Sequence, residues 1–328
     1  MAGGESLVRI VAEEYGGQRL DNFLARECGR TPKALLYRLI RSGQVRINGR
    51  RAKPDARLVA GDKLRFPPLL HNIGNLRAAQ KSRLQNAAPK LEMKVLYEKG
   101  GLLAVDKPSG LAVHGGSGAR FGVIERLRQT RADNYLELAH RLDRDTSGAL
   151  LLATKPSALR AVQKLWRERK VRKLYNVAVF GEWRRAHRLL DMPLRRMRRE
   201  DGARMAEVSD DGAEAITKAR LVRQLPGAAI LEAQIITGRT HQLRAHFAAA
   251  GLPIIGDDKY GDFAKNRALR TNRAGAGMHV LRRLFLHAHL LAFALPDGDE
   301  VEIESPLPPA FALLEECLLN GGELPVNR

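Results

Sequence analysis

The chain has 328 residues, with 56 lysines and arginines against 36 aspartates and glutamates, a formal net charge of +20 at pH 7. Hydrophobic residues make up 44% and aromatics 5%, a globular composition long enough for two domains, which excludes wholesale disorder. Two cysteines, Cys28 and Cys317, exclude a disulfide framework and a cysteine zinc site and point to a reducing, cytoplasmic setting.

In chain order, residues 1–11 carry Glu5 and Arg9 and lack the apolar core of a secretory signal. The segment from Gln18 to Phe66 reads as a compact module. Leu20, Phe23 and Leu24 have helical spacing, and a second helix is expected with Thr31 as its N-cap, Pro32 first inside it, and Leu35, Leu36, Leu39 and Ile40 on its apolar face. Gly43 ends that helix, Val45 to Ile47 alternate as a strand, and Asn48-Gly49 is a hairpin turn signal. Gly61-Asp62 is a second turn before Lys63 to Phe66. Two helices and a small hairpin with Arg19, Lys33, Arg38, Arg41 and Arg46 facing outward resemble the S4-type RNA-binding domain, which implies that these five residues contact RNA.

Residues 67–90 open on Pro67-Pro68 and continue without periodicity, the composition of a linker. The predicted division is therefore a module at 1–66, a linker at 67–90 and a larger domain at 91–328. Within the last, strands are expected at 102–105, 149–153, 174–180, 216–222, 230–236, 284–295 and 300–304. Helices are expected from Pro156, with Leu159, Val162, Leu165 and Trp166 on one face, and from His241 to Ala250, capped by Thr240 and stopped by Gly251. Leu313, Leu314, Cys317 and Leu318 read as the core face of a C-terminal helix. Strands with irregularly interspersed helices predict an α+β fold with a mixed, mostly antiparallel sheet. The longest apolar runs, 149–153 and 290–295, fall far short of the ~20 residues that span a bilayer.

The positive charge is an argument about partners: the abundant intracellular polyanion is nucleic acid. Arg184, Arg185, Arg188, Arg195, Arg196, Arg198, Arg199 and Arg204 fall in one short span around a turn at Asp201-Gly202, a candidate for holding RNA. The low aromatic content argues against a stacking platform for single strands.

Three polar clusters carry the chemistry. His140-Arg141-Leu142-Asp143-Arg144-Asp145-Thr146-Ser147-Gly148 leads into the buried run 149–153, with Ser147-Gly148 read as turn residues and Asp145 as an ion-pair partner. Arg172-Lys173-Leu174-Tyr175 opens a strand, and Thr237-Gly238-Arg239-Thr240-His241-Gln242-Leu243-Arg244-Ala245-His246 joins a strand to a helix. His241 and His246 are five apart, which turns them to different helix faces, and no acidic or cysteine cluster accompanies them, so no metal is expected. Gly115-Gly116-Ser117-Gly118 lacks the lysine and spacing of a phosphate-binding loop, and Ser147 lacks the elbow of a serine hydrolase.

Taken together with 106–118 and 283–288, these clusters closely resemble the RluA-type pseudouridine synthase family. The resemblance implies isomerisation of uridine to pseudouridine without a cofactor, in a central cleft, on a flipped-out base. It implies Asp143 as the essential carboxylate, Tyr175 stacked on the base, Arg244 paired with Asp143, and Arg141, Lys173, Arg239, His241 and Gln242 on the RNA. The expected partner is 23S rRNA or a large-subunit assembly intermediate, met by a monomer. The alternatives are the same chemistry on tRNA, and a non-catalytic rRNA-binding or ribosome-assembly factor.

Overall fold

A computed structural model describes residues 7–28, 31–67, 70, 92–115, 121–131, 133, 135–184, 187–199, 204–271 and 282–320. The chain divides into two compact units, the smaller comprising the N-terminal residues to 91 with Glu125–Leu136 and Thr154–Ala158.

In the N-terminal unit, β1 (Leu7–Ile10), β2 (Arg46–Ile47), β3 (Arg50–Arg51) and β4 (Lys63–Phe66) form an antiparallel sheet in the order β1-β4-β2-β3. Helices α1 (Leu20–Glu27) and α2 (Lys33–Arg41) place Leu20, Phe23, Leu24, Leu36, Leu39 and Ile40 in one core with Val45, Leu58 and Leu64. Asn48 and Gly49 both take positive φ (49° and 77°) and join Ile47 to its partner Arg50, the geometry a two-residue hairpin needs. The expected cap is corrected: α2 starts at Lys33 with Pro32 as N-cap, while the Thr31 hydroxyl donates to the Cys28 carbonyl at 2.7 Å. Cys28 is buried and its thiol is pushed up to about 11, so it serves as a core residue.

The larger unit is built on a ten-stranded sheet. Its strands are β5 (Val95–Lys99), β6 (Leu102–Lys107), β7 (Glu137–Leu138), β8 (Ser147–Ala153), β9 (Arg172–Phe180), β10 (His187–Asp191), β13 (Ile216–Leu225), β14 (Ala228–Ile235), β15 (Leu286–Ala294) and β16 (Glu300–Glu304). The order is β10-β13-β14-β9-β15-β8-β6-β5, with β16 on β15 and β7 on β8. The β15–β8 pair is parallel and the other pairs are antiparallel, so the sheet is mixed as expected. A separate hairpin pairs β11 (Leu194–Arg198) with β12 (Arg204–Val208). Helices α3 (Val123–Thr130), α4 (Pro156–Arg167), α5 (Gln242–Ala249), α6 (Phe263–Thr271) and α7 (Pro309–Leu319) complete the fold.

Every residue of β8 is buried, which explains its unbroken apolar run; Ser147 and Gly148 belong to this strand rather than to a turn. Gly148 has φ +116°, and a Cβ there would lie 2.2 Å from the Ala288 carbonyl oxygen, so the close approach of β8 to β15 demands glycine. Phe311, Leu314 and Leu318 of α7 pack on Phe180, Ile230 and Phe285, with Cys317 against them, whereas Leu313 is exposed. Among the described residues no helix is long and apolar enough to cross a membrane.

Candidate functional site

A cleft of about 470 Å³ is lined by the loop before β8 (Arg141, Leu142, Asp143), by β9 (Lys173, Tyr175), by α4 (Gln163, Trp166, Arg167) and by the β14–α5 segment (Gly238 to Arg244). All three predicted catalytic side chains, Asp143, Tyr175 and Arg244, share this cleft.

The Asp143 loop is held from beneath. Lys107, fully buried, donates from Nζ to the carbonyls of Pro108, Leu111 and Arg144 at 2.8–2.9 Å, tying the turn after β6 to the loop. Burial pulls that amine down to about 7, against the opposing charges of Asp145 and Asp143. The Ser109 hydroxyl adds a 2.6 Å bond to the Asp145 carbonyl, and the Asp145 carboxylate accepts from Arg144, so Asp145 is an ion-pair partner. The His140 ring accepts from the Leu151 N–H and stacks on Trp166, with centroids 5.1 Å apart and planes 22° apart. At the start of β8, the Ser147 hydroxyl accepts from Arg283 and contacts His287 Nδ1 at 2.9 Å. It therefore braces β8 against β15.

Tyr175 alternates with Leu174 on β9 so that its ring faces the cleft while remaining 7% exposed. Burial first, and the charge of Asp143 second, push its phenol well above the ordinary value, so it is held protonated. Lys173, two residues earlier on the same face, is lowered by burial and by Arg169.

Arg244 departs from expectation. Its guanidinium is buried and binds Asp257 in a bidentate pair (Nε to Oδ2 2.7 Å, Nη2 to Oδ1 2.6 Å), with Asp258 at 3.1 Å. The paired carboxylate is thus Asp257, not Asp143, which acts on Arg244 through its field alone. Burial disfavours the guanidinium charge, but the Asp257 bonds and the charges of Asp257, Asp143 and Asp258 outweigh it and raise the group further. Asp257 is correspondingly held below the usual carboxylate range, because the Arg244 hydrogen bonds overcome its burial.

The remaining predicted residues fall into three groups. Arg141, Lys173, Arg239 and His241 line the cleft, Arg239 while donating to the Glu214 carbonyl. Lys33, Arg38 and Arg41 stand exposed on α2. The other three are bonded within the protein, and of these Gln242 is corrected. Gln242 is buried, its Oε1 accepting from the Thr237 hydroxyl and the Arg239 N–H and its Nε2 donating to the Ile216 carbonyl and the Thr217 hydroxyl, so it shapes the loop and has no group left for RNA. Arg19 forms a bidentate pair with Asp21 and Arg46 donates to the carbonyls of Gly43 and Gly49, and both side chains remain partly exposed. The helix expected from His241 with Thr240 as its cap begins at Gln242, with His241 as a left-handed N-cap at φ 51°.

Asp257 and Tyr260 went unread in the sequence, although their signal is a run of polar residues between glycines. A Cβ on Gly256 would lie 1.8 Å from the Arg283 carbonyl oxygen, and one on Gly261 would lie 2.2 Å from that of Asp257. Residues 68–69, 71–90, 116–118 and 201–202, and hence most of the linker, the Gly116-Ser117-Gly118 stretch and the Asp201-Gly202 turn, lie outside the described residues. His246 is occupied by the Thr217 hydroxyl and the Met192 carbonyl, and among the described residues no group of three or more His, Cys, Asp or Glu side chains is arranged for a metal.

A family profile described as RNA pseudouridylate synthase matches residues 101–249, and one for the S4 domain matches residues 18–64. The chain is 42% identical over 314 residues to the ribosomal large subunit pseudouridine synthase C of Escherichia coli K12, covering 95% of each. It is 41% identical over 299 residues to the protein of that name in Vibrio vulnificus, covering 90% of this chain and 91% of that one. Among solved structures, human RNA pseudouridylate synthase domain containing 4 aligns at 26% identity with a TM-score of 0.53, covering 71% of this chain and 93% of that one. The S4 module and the cleft with its three clusters thus lead to one conclusion: the chain belongs to the RNA pseudouridylate synthase family.

Proposed function

We propose that the protein isomerises uridines of 23S rRNA to pseudouridine, with Asp143 as the essential carboxylate. The observation that carries this reading is the convergence of Asp143, Tyr175 and Arg244, from a loop, a strand and a helix start, on one cleft. The substrate class is supported by the names of the bacterial relatives, which are large-subunit enzymes.

In the reaction the C1′–N1 bond breaks, the uracil turns over within the site, and C5 bonds to C1′. C5 then loses its proton and N1 gains one. Nothing is oxidised or reduced, so the chemistry calls for no cofactor. Asp143 serves either by attacking C1′ or by stabilising positive charge there, and both need an ionised carboxylate facing the sugar. Arg244 supplies a fixed positive field beside it, since the Asp257 clamp leaves the guanidinium no freedom to leave. Tyr175 packs against the base, with its phenol held protonated by burial beside Asp143.

The target base must leave the RNA stack to reach this cleft, a cost of a few kcal/mol that is lowest in loops and junctions. Arg141, Lys173 and Arg239 then meet the flanking backbone, while Lys33, Arg38 and Arg41 make residues 1–66 a second grip joined through 67–90 to the catalytic region 91–328. In this reading the enzyme works in the cytoplasm as a monomer.

The test is to delete the gene, map pseudouridines in rRNA and tRNA, and complement with wild type or Asp143→Ala. Sites lost from 23S rRNA and restored by wild type alone are expected. Sites lost from tRNA would move the substrate, and full restoration by Asp143→Ala would leave a non-catalytic binder.

A further inference from the structure

Four residues of this site, Ala206, Tyr260, His241 and Asp143, are linked by one line of polar contacts. Ala206 of β12 donates its N–H to the Tyr260 hydroxyl oxygen at 2.7 Å. That oxygen lies 3.0 Å from His241 Nδ1, and His241 Nε2 lies 3.9 Å from Asp143 Oδ1. The Tyr260 ring meets the His241 ring edge-on, at 5.6 Å and 87°, and the Arg244 guanidinium sits 5.4 Å from the Tyr260 ring centre.

We infer that Tyr260 and His241 form a hydrogen-bond relay that fixes the imidazole tautomer and presents its Nε2–H to Asp143. A backbone N–H can only donate, so the Tyr260 oxygen accepts from Ala206. The phenol hydrogen then goes to the other polar neighbour found for it among the described residues, His241 Nδ1. An Nδ1 that accepts is unprotonated, so the ring hydrogen is on Nε2, the atom aimed at the carboxylate. At 3.9 Å this contact is electrostatic, and hydrogen bonds of catalytic groups commonly shorten in the substrate complex.

Three features show that the ring is held rather than merely nearby. His241 keeps a left-handed backbone (φ 51°), which a non-glycine residue retains only when its surroundings impose it. Its side chain is 10% exposed, and burial, opposed by Asp143, lowers its affinity for a second proton. Arg244 bonds Asp257 and Asp258 through Nε and Nη2, and among the described residues His241 is the basic group found within ion-pair distance of Asp143. A neutral donor orients a carboxylate without neutralising it, which suits a group that must act ionised. The relay also starts on the arginine-rich hairpin: Leu194 and Ala206 pack with Ala245 of α5 and with Tyr260, and Arg196 of β11 reaches the cleft.

The inference makes His241 and Tyr260 positioning residues and rests on Asp143 being the reacting carboxylate. The test uses the full chain and a 23S rRNA transcript carrying tritium at uridine C5, with single-turnover tritium release as readout. His241→Phe, which keeps a ring and loses the donor, and Tyr260→Phe, which loses the hydroxyl, are expected to slow the step roughly 10- to 100-fold. The loss should fall on this rate constant rather than on the half-saturating RNA concentration, which is expected to move less than about threefold. His241→Gln, which restores an N–H near the Nε2 position, is expected to recover most of the rate. Nitrogen-15 ring spectra of the wild type should show Nδ1 unprotonated at His241, with tautomers mixed in Tyr260→Phe. Wild-type rates in both Phe variants, a His241→Gln as slow as His241→Phe, or a protonated Nδ1 would each overturn the relay while an inactive Asp143→Ala left the assigned reaction standing. An active Asp143→Ala would instead remove the reading beneath it.

Discussion

Two arginine–carboxylate clusters in this protein use the same hydrogen-bond chemistry to opposite effect. At the base of the cleft, Arg244 and Asp257 are 2% and 0% exposed by side chain, and the guanidinium has nowhere else to go. On the β11–β12 hairpin, Arg195 bonds Glu207 and Asp211 with side chains 52%, 39% and 64% exposed, where water and salt compete for every contact. Burial therefore converts one pair into a fixed element of the active site. Exposure leaves the other free to exchange a carboxylate for an RNA phosphate at little cost.

The largest effect expected from this contrast is on the buried side. Asp257→Asn strands a buried guanidinium and should lower the urea unfolding free energy by about 3–5 kcal/mol. A loss under about 1 kcal/mol would mean that Arg244 finds water and that the site floor is not rigid.

A buried histidine gives the next test. Burial holds His287 down to about 4 in the folded chain, against an ordinary 6.5. Below pH 6.5 the unfolded chain takes up a proton that the folded chain refuses, so stability is intact above that pH and falls towards pH 4. At 1.36 kcal/mol per unit the loss reaches roughly 3 kcal/mol. Denaturant titrations of wild type and His287→Asn across pH 7 to 4 should differ by that slope, and superimposable profiles would show that the proton enters elsewhere.

Exposed charges should behave differently. Replacing Lys33, Arg38 and Arg41 together by serine should leave the unfolding midpoint in place and make the salt dependence of rRNA binding shallower, by about 2 in the log–log slope at 0.7–0.9 per phosphate. An unchanged slope would remove α2 from the RNA interface. The smallest effect is expected for Glu207→Gln, which should leave the melting midpoint where it was because Arg195 keeps Asp211 and solvent.

Much of the fold was legible in short stretches. β4 and β16 begin and end where their alternation does, and the apolar faces of α1, α2 and α4 are buried as their spacing required, with Leu35, Leu159 and Trp166 half-buried. The misreadings share a cause. Thr31 and Thr240 have the chemistry of N-caps, but Thr31 faces the Cys28 carbonyl and the chain enters α5 through a left-handed His241. Strand β1 is short, and Val8 and Ile10 are exposed, so no buried face marked it; Arg-rich β11 is a strand because β12 lies beside it. Within the site, Asp143, Tyr175 and Arg244 were found through dense local motifs, whereas Asp257 and Tyr260 sit in a loop with no period to reveal them.

Helical and strand periodicity, the Asn48-Gly49 turn and the clusters around Asp143, Tyr175 and Arg244 were determined by residues within a few positions of one another, since backbone preference and turn chemistry act over that range. Three matters were decided only by tertiary structure: which carboxylate clamps Arg244, why Gln242 is unavailable to RNA, and which nitrogen of His241 faces Asp143. Each depends on a donor meeting an acceptor from a distant part of the chain, and burial then decides which of the possible pairings survives.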